Sequence, residues 1–201
     1  MAIFYPSLLF VGPPGAGKGT QGKFLDRVTP HYHLSSGEVL RNIDPASAYG
    51  ELIHSCTREG RLVPDEITLA IAREHITSLI DEGTYDPHRQ LLILDGLPRN
   101  LRQAQEMDSF VDCKGIILFE IEGKDTLIDR LTIRADHEWR DDDRREVIDH
   151  RLKLYHEDTL PLVAHYSHTP LHRINASQPP YDVLKDLLLS LSPTLQEFPP
   201  T

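Results

Sequence analysis

Apolar residues recur along this chain in two rhythms. Short unbroken runs at 8–11 and 91–94, an almost unbroken one at 116–121, the segment Leu171 to Ile174 and a brief pair at His33-Leu34 predict strands, the 91–94 run covered on both faces. Between them the spacing lengthens to three and four. Ile67, Ala70, Ile71, Ile76, Leu79 and Ile80 form one buried stripe of a helix that opens at Val63-Pro64-Asp65 and stops at Gly83. Leu127, Ile128 and Leu131 make a second stripe, and 181–191 an amphipathic third. Shorter helices are predicted from about 20 to 28, over 49–58 with Gly60 as the stop, and over 102–107. Ser35 with Glu38 three places on reads as a capping box, and so does Asp143 with Glu146. The helix after Asp143 carries Arg151 and Tyr155, breaks near Pro161 and resumes to about Tyr166. Residues 135–142 have no apolar period and read as a loop. Residues 192–201, with three prolines, read as a loose, flexible tail. Strands alternating with helices imply a parallel sheet.

The first strand breaks into Gly12-Pro-Pro-Gly-Ala-Gly-Lys18-Gly-Thr20. Its glycines at 12, 15, 17 and 19 let the backbone turn successive N–H groups inward, and the next helix adds its positive end. Lys18 supplies a full charge. The spacing Gly12-x-x-x-x-Gly17-Lys18 is that of the P-loop, a cradle for a polyphosphate. The general pattern has Ser or Thr after the lysine. Here Gly19 follows, and the hydroxyl arrives one place later at Thr20, so support for Mg²⁺ shifts to Asp95 at the end of the 91–94 run, acting through water. The other reading of Asp95 is a turn or helix-capping aspartate.

Charge narrows the partners. With 31 acidic against 21 basic residues the net charge is −10, which argues against a nucleic-acid surface. Two cysteines, Cys56 and Cys113, make no disulfide framework and suit a reducing compartment. The opening residues lack a basic n-region and no run is long enough to span a membrane, so a single cytoplasmic domain with no membrane partner is expected. Among 11 histidines only His165-x-x-His168 has a spacing worth weighing for metal, and no third ligand accompanies it.

In so acidic a chain, arginines at strand ends and loop edges stand out: Arg41, Arg99, Arg130, Arg134, Arg140 and Arg151. The guanidinium fork binds phosphate bidentately. Five segments occur in order: 12–20, Ser35-Ser-Gly-Glu-Val-Leu-Arg41, Gly60-Arg-Leu-Val-Pro-Asp-Glu66, Leu94-Asp-Gly-Leu-Pro-Arg-Asn100, and Arg140-Asp-Asp-Asp with Arg151-Leu-x-x-Tyr155. Together, over about 7–190, they resemble the adenylate kinases among the nucleoside monophosphate kinases.

The resemblance implies a P-loop three-layer α/β/α fold with a five-stranded parallel sheet, a helical monophosphate-binding insertion at 35–64 and a short lid at 134–141. It implies ATP phosphates on Gly15, Ala16, Gly17, Lys18, Gly19 and Thr20, with Arg130 stacked on the ATP base, Arg134 beside it, and Gln178 near the same base. It implies AMP between Ser36, Arg41, Arg61, Leu62 and Val63 on one side and Gly96, Leu97, Pro98 and Arg99 on the other, with Gln103 bonded to adenine and Arg140 and Arg151 also on the AMP side. Lys18, Arg99, Arg134, Arg140 and Arg151 would stabilise the transferred phosphoryl, with Mg²⁺ as cofactor. Arg134 and Arg140 are only six positions apart, as in short-lid forms, and that loop has no cysteine, so no zinc is expected. The expected partners are ATP, AMP and ADP, acting on a monomer.

Four positions depart from the family pattern: Leu97 for Phe, Glu38 for Asp, Trp139 for Gly, and a clamp one residue short near Asp44-Pro45. The nearest alternative is a UMP/CMP kinase. Gln103 argues against it, because those relatives resemble the pattern with Asn there. A P-loop ATPase or switch, or a non-catalytic nucleotide-binding module, would have little use for two sets of arginines.

Overall fold

A computed structural model describes residues 4–138 and 143–199. Five parallel strands form one sheet: β1 (Tyr5–Val11), β2 (Tyr32–Ser35), β3 (Leu92–Asp95), β4 (Val111–Glu120) and β5 (Leu171–Asn175). Their order is β2-β3-β1-β4-β5. Leu9 lies beside Leu94 on one flank and Ile116 on the other, and Leu34 lies beside Leu94.

The apolar runs are buried on both faces because successive side chains alternate across the sheet. Leu9, Val11, Leu92, Leu94, Ile116 and Leu118 face one way. They meet Leu69, Ala72, Ile76 and Leu79 of α4 (Asp65–Asp81), Ala104 and Met107 of α5 (Leu101–Met107), and Leu162 of α8 (Leu162–His165). Leu8, Phe10, Ile93, Ile117, Phe119 and Ile174 face the other way. They pack on Leu25 of α1 (Lys18–Val28) and Val183, Leu187 and Leu191 of α9 (Pro180–Gln196). Each such buried aliphatic side chain contributes ~1.5–3 kcal/mol, so the sheet's two faces supply most of the core.

Two smaller cores lie apart. Leu40 of α2 (Ser36–Arg41), Ile53 and Cys56 of α3 (Gly50–Arg58), and Val63 cluster together. Leu127 and Leu131 of α6 (Lys124–Glu138) pack with Ile148 and Leu152 of α7 (Arg145–Leu154).

Several expectations are corrected. Residues 135–138 continue α6 rather than forming a loop, so the expected lid begins as helix. Trp139 and Arg140, with the two residues that follow, lie outside the described residues. Helix α7 is preceded by Arg144 at its cap position with no side-chain cap, so Asp143 does not cap it. The side chain of Glu146 also lies outside the description. Near Pro161 the chain passes through a π-helical turn, Tyr155–Thr159, before α8. Helix α9 runs to Gln196 through Pro193, and Leu195 and Phe198 pack on the core, so much of the expected tail is ordered structure. Pro193 lies in the last turn, so the i→i−4 bond it cannot donate interrupts the helix only near its end. No helix of the described residues is long and apolar enough to cross a membrane.

Candidate active site

Parallel strands deliver their carboxyl ends to one edge of the sheet, and from β1 the chain winds to one side and later to the other. Ligands of open α/β sheets settle at such an edge. Gly12 follows β1, Ser36 follows β2 and Gly96 follows β3 there. A cavity of about 350 Å³ opens between them, bordered by Gly17, Lys18, Arg41, Asp95, Arg99, Arg134 and Arg151. A recess of about 50 Å³ adjoins it, bordered by Ser36, Arg41, Arg61, Leu62, Val63, Arg99, Gln103 and Arg151.

The loop after β1 has the backbone its glycines foretell. Gly17 has φ of +86°, left-handed, at the N-cap of α1. A side chain there would strain the turn that aims the helix end at the cavity. Gly15, Gly19 and Thr20 border the cavity too, while Ala16 is buried beneath it. Lys18 Nζ donates to the carbonyls of Gly12 at 2.7 Å and Pro13 at 3.1 Å. Burial pushes its pKa down to about 8; Asp95 opposes this, and Arg99, Arg151 and Arg134 add to it.

Asp95 is buried at the end of β3. Burial pushes its carboxyl up, but the neighbouring His33, Lys18 and Arg99 overcome this and hold it below the ordinary range. His33 Nε2 lies 3.7 Å from Asp95 Oδ2. A carboxylate that stays ionised beside the polyphosphate loop is the hard oxygen donor that magnesium or its waters require, so the residues present fit that ion. Among the described residues no three His, Cys, Asp or Glu side chains gather as metal ligands. His165 bonds Asp108 at 2.9 Å.

Across the cavity, Ser36 Oγ donates to the Gly96 carbonyl at 2.7 Å, and Arg99 Nε donates to the same oxygen at 2.8 Å. Gly96 has φ of +79°, and a Cβ there would lie 2.8 Å from Ser36 Oγ, so glycine lets the turns that follow β2 and β3 approach each other. Ser35 caps α2 through the Glu38 N–H at 3.4 Å, as its spacing predicts. Glu38 itself reaches Lys23 of α1 at 2.6 Å, a use its longer side chain permits. Pro98 borders the cavity, whereas Leu97 is buried in the core with Leu94 and Leu69 and borders neither space. Arg61 pairs with Glu59 at 2.6 Å and approaches the Cys56 thiol at 3.5 Å.

The arginines on α6 and α7 meet a carboxylate. Arg134 binds Asp143 with two bonds, 2.5 and 2.7 Å, and Arg151 binds it at 2.6 Å. Asp143 is fully buried between them. Asp143 thus holds two arginines rather than capping a helix; the sequence signal for this is its place in an acidic run nine residues from one arginine and eight from the other. Arg130 donates to the Ala176 carbonyl at 2.9 Å, and Gln178 bonds Asp186 at 2.6 Å. Gln178 lies in the β5–α9 connection, Arg130 reaches that connection from α6, and neither borders the cavity or the recess. Asp65, read only as a helix entry, bonds Gln103 at 2.7 Å.

An anion cradle at the end of a central parallel strand, faced across one cavity by arginines from α2, α6, α7 and the β3–α5 turn, is the architecture of a P-loop phosphotransferase. The comparisons with known proteins agree. A family model described as adenylate kinase matches residues 10–170. An adenylate kinase of Synechococcus sp. (strain RCC307) is 40% identical over 165 residues, covering 79% of this chain and 83% of that protein. One of Thermobifida fusca (strain YX) is 35% identical over 190 residues, covering 92% and 97%. A uridylate kinase of Saccharomyces cerevisiae (strain ATCC 204508 / S288c) is 36% identical over 186 residues, covering 90% and 88%. The chain belongs to the adenylate kinase family, whose members are nucleoside monophosphate kinases.

Proposed function

We propose that the protein transfers the terminal phosphoryl group of MgATP reversibly to AMP, giving two ADP. The observation that carries this is that Lys18 of the polyphosphate loop and Arg41 and Arg99 of the opposite wall border a single cavity, with Arg134 and Arg151 also on it. Donor and acceptor phosphates thereby have separate cationic seats and a shared space between them. The recess beside Arg41 and Arg99 is bordered by Ser36, Val63 and Gln103, which suits the acceptor's base.

Phosphoryl transfer asks chiefly for alignment and charge stabilisation. The acceptor is a monophosphate whose second pKa is ~6, so it arrives deprotonated at neutral pH and no general base is needed. Lys18 holds β- and γ-phosphate oxygens. Arg41 and Arg99 hold the acceptor phosphate in line. Arg134, Arg140 and Arg151 gather on the transferring group, and Arg134 and Arg151 exchange Asp143 for phosphate oxygens as they do so. Asp95 would hold magnesium through water, and the ion would neutralise charge shared between the β and γ groups. The helical segment at 35–64 and the lid at 134–141 close over the substrates and keep out water, the competing acceptor. Arg130 and Gln178 flank the ATP base. The enzyme works as a cytoplasmic monomer in nucleotide biosynthesis.

A second reading, a UMP/CMP kinase, draws on the uridylate kinase similarity. Gln103 favours AMP. An acceptor panel of AMP, CMP, UMP, GMP and dTMP with MgATP tests both: the expected result is ADP formation with AMP well above the rest. Transfer to UMP or CMP in preference gives the second reading, and ATP hydrolysis with no transfer to any monophosphate sinks both.

A further inference from the structure

Gln103 is buried at the base of the recess, with 1% of its surface exposed, and its amide is gripped from two sides. Its Oε1 accepts from the Arg99 backbone N–H at 2.7 Å. Its Nε2 donates to Asp65 Oδ1 at 2.7 Å. Each partner has one polarity: a backbone N–H only donates and a carboxylate only accepts. Reversing the amide would set N–H against N–H and oxygen against carboxylate. Asn100 repeats the arrangement. Its Oδ1 accepts from the Gln103 backbone N–H at 2.8 Å, and its Nδ2 donates to the same Asp65 oxygen at 2.9 Å. Asp65, at the first residue of α4, thus ties two amides at the start of α5 into one sense.

We infer that Asp65 is a positioning residue for base recognition: it fixes the sense in which Gln103 faces the acceptor base, and so favours a 6-aminopurine monophosphate over a 6-oxopurine one. The inference rests on the reading of Gln103 as the base contact. After its two internal bonds the amide retains one N–H and one oxygen lone pair. The edge of adenine sets an acceptor, N1, beside a donor, the 6-amino group. Hypoxanthine reverses the order, a donor N1–H beside the O6 acceptor. With the acceptor phosphate seated on Arg41 and Arg99 the base cannot slide to compensate, so a fixed amide pairs with the first order and leaves the second with like facing like. A buried site built for one hydrogen-bond order rejects the other more strongly than a greasy pocket rejects a change of size.

The test compares the parent enzyme with Asp65→Ala and Asp65→Asn, using AMP and its 6-oxo analogue IMP at fixed MgATP, with thermal melts to confirm folding. The parent is expected to prefer AMP. Asp65→Ala is expected to raise the KM for AMP and to lower the AMP-to-IMP ratio of kcat/KM by about tenfold, leaving the KM for ATP unchanged. Asp65→Asn, whose amide oxygen still accepts from Nε2, restores most of that ratio. A mere helix-end charge would be lost equally in both variants. An unchanged ratio in Asp65→Ala, or an Asn variant no better than Ala, overturns the inference. A parent enzyme that takes no AMP overturns the underlying reading, and is seen before any variant is made.

Discussion

The chemistry of single residues here depends on neighbours more than on identity. Lys18 is an ordinary lysine whose proton is loosened by burial and by three arginines, to a pKa of about 8. Polyphosphate binds the charged form, so ligand restores the proton. Below pH 8 the free lysine is already charged and ATP affinity should be flat. Above it, each binding event must take up a proton, and affinity falls as pH rises, by up to about tenfold per unit. Calorimetry at pH 8.5 in two buffers of different ionisation enthalpy reads that uptake directly, and identical heats in both would contradict it. Lys18 was legible from sequence because its glycine spacing has few other uses. Asp143 and Asp65 were not. Each holds other side chains rather than ligand, and a carboxylate's partners across the fold leave no local pattern.

At the scale of elements, the two rhythms of apolar residues located the central strands and helices α4, α6 and α9, although α4 buries Leu69 and Ala72 where the spacing pointed to Ala70, which is exposed. Boundaries moved where tertiary packing outweighed local polarity. Helix α9 continues past 191 because Leu195 and Phe198 find the core on its inner side. Its two faces offer a sharp comparison. Leu187 is fully buried and Leu189 is 70% exposed. Leu187→Ala should cost about 2–5 kcal/mol of stability, whereas Leu189→Ala should stay within about 0.5 kcal/mol. Urea unfolding of both variants checks this, and equal losses would show that the helix does not bury the face assigned to it. The run at 135–138 departs from its loop-like pattern for the opposite reason: it is polar, yet it extends a helix anchored earlier by Leu127 and Leu131.

For the whole molecule, the parallel sheet gathers every strand's carboxyl end on one edge, and the site follows from that topology more than from any one motif. A cavity with two cationic walls should take two nucleotides. Equilibrium dialysis with ADP and magnesium should saturate at two per chain; saturation at one would support a switch or a simple binding module instead. The same gathering has a consequence for folding. Lys18, Arg99, Arg134 and Arg151 are like charges brought together in a chain whose net charge is −10. Asp143 acts there, with Asp95, as a counter-ion, and removing it leaves one carboxylate fewer against the cluster's mutual repulsion. Asp143→Ala should therefore lose about 1–3 kcal/mol, the cost of stripping a charged hydrogen-bond partner from two partly exposed arginines. Part of that loss should return on adding sulfate, which binds the folded cation cluster and shields it. Melting curves with and without sulfate would show a larger gain for the variant than for the parent; equal gains would mean that repulsion was never the liability. Anion-dependent folding would then be the price of a pocket made for phosphates.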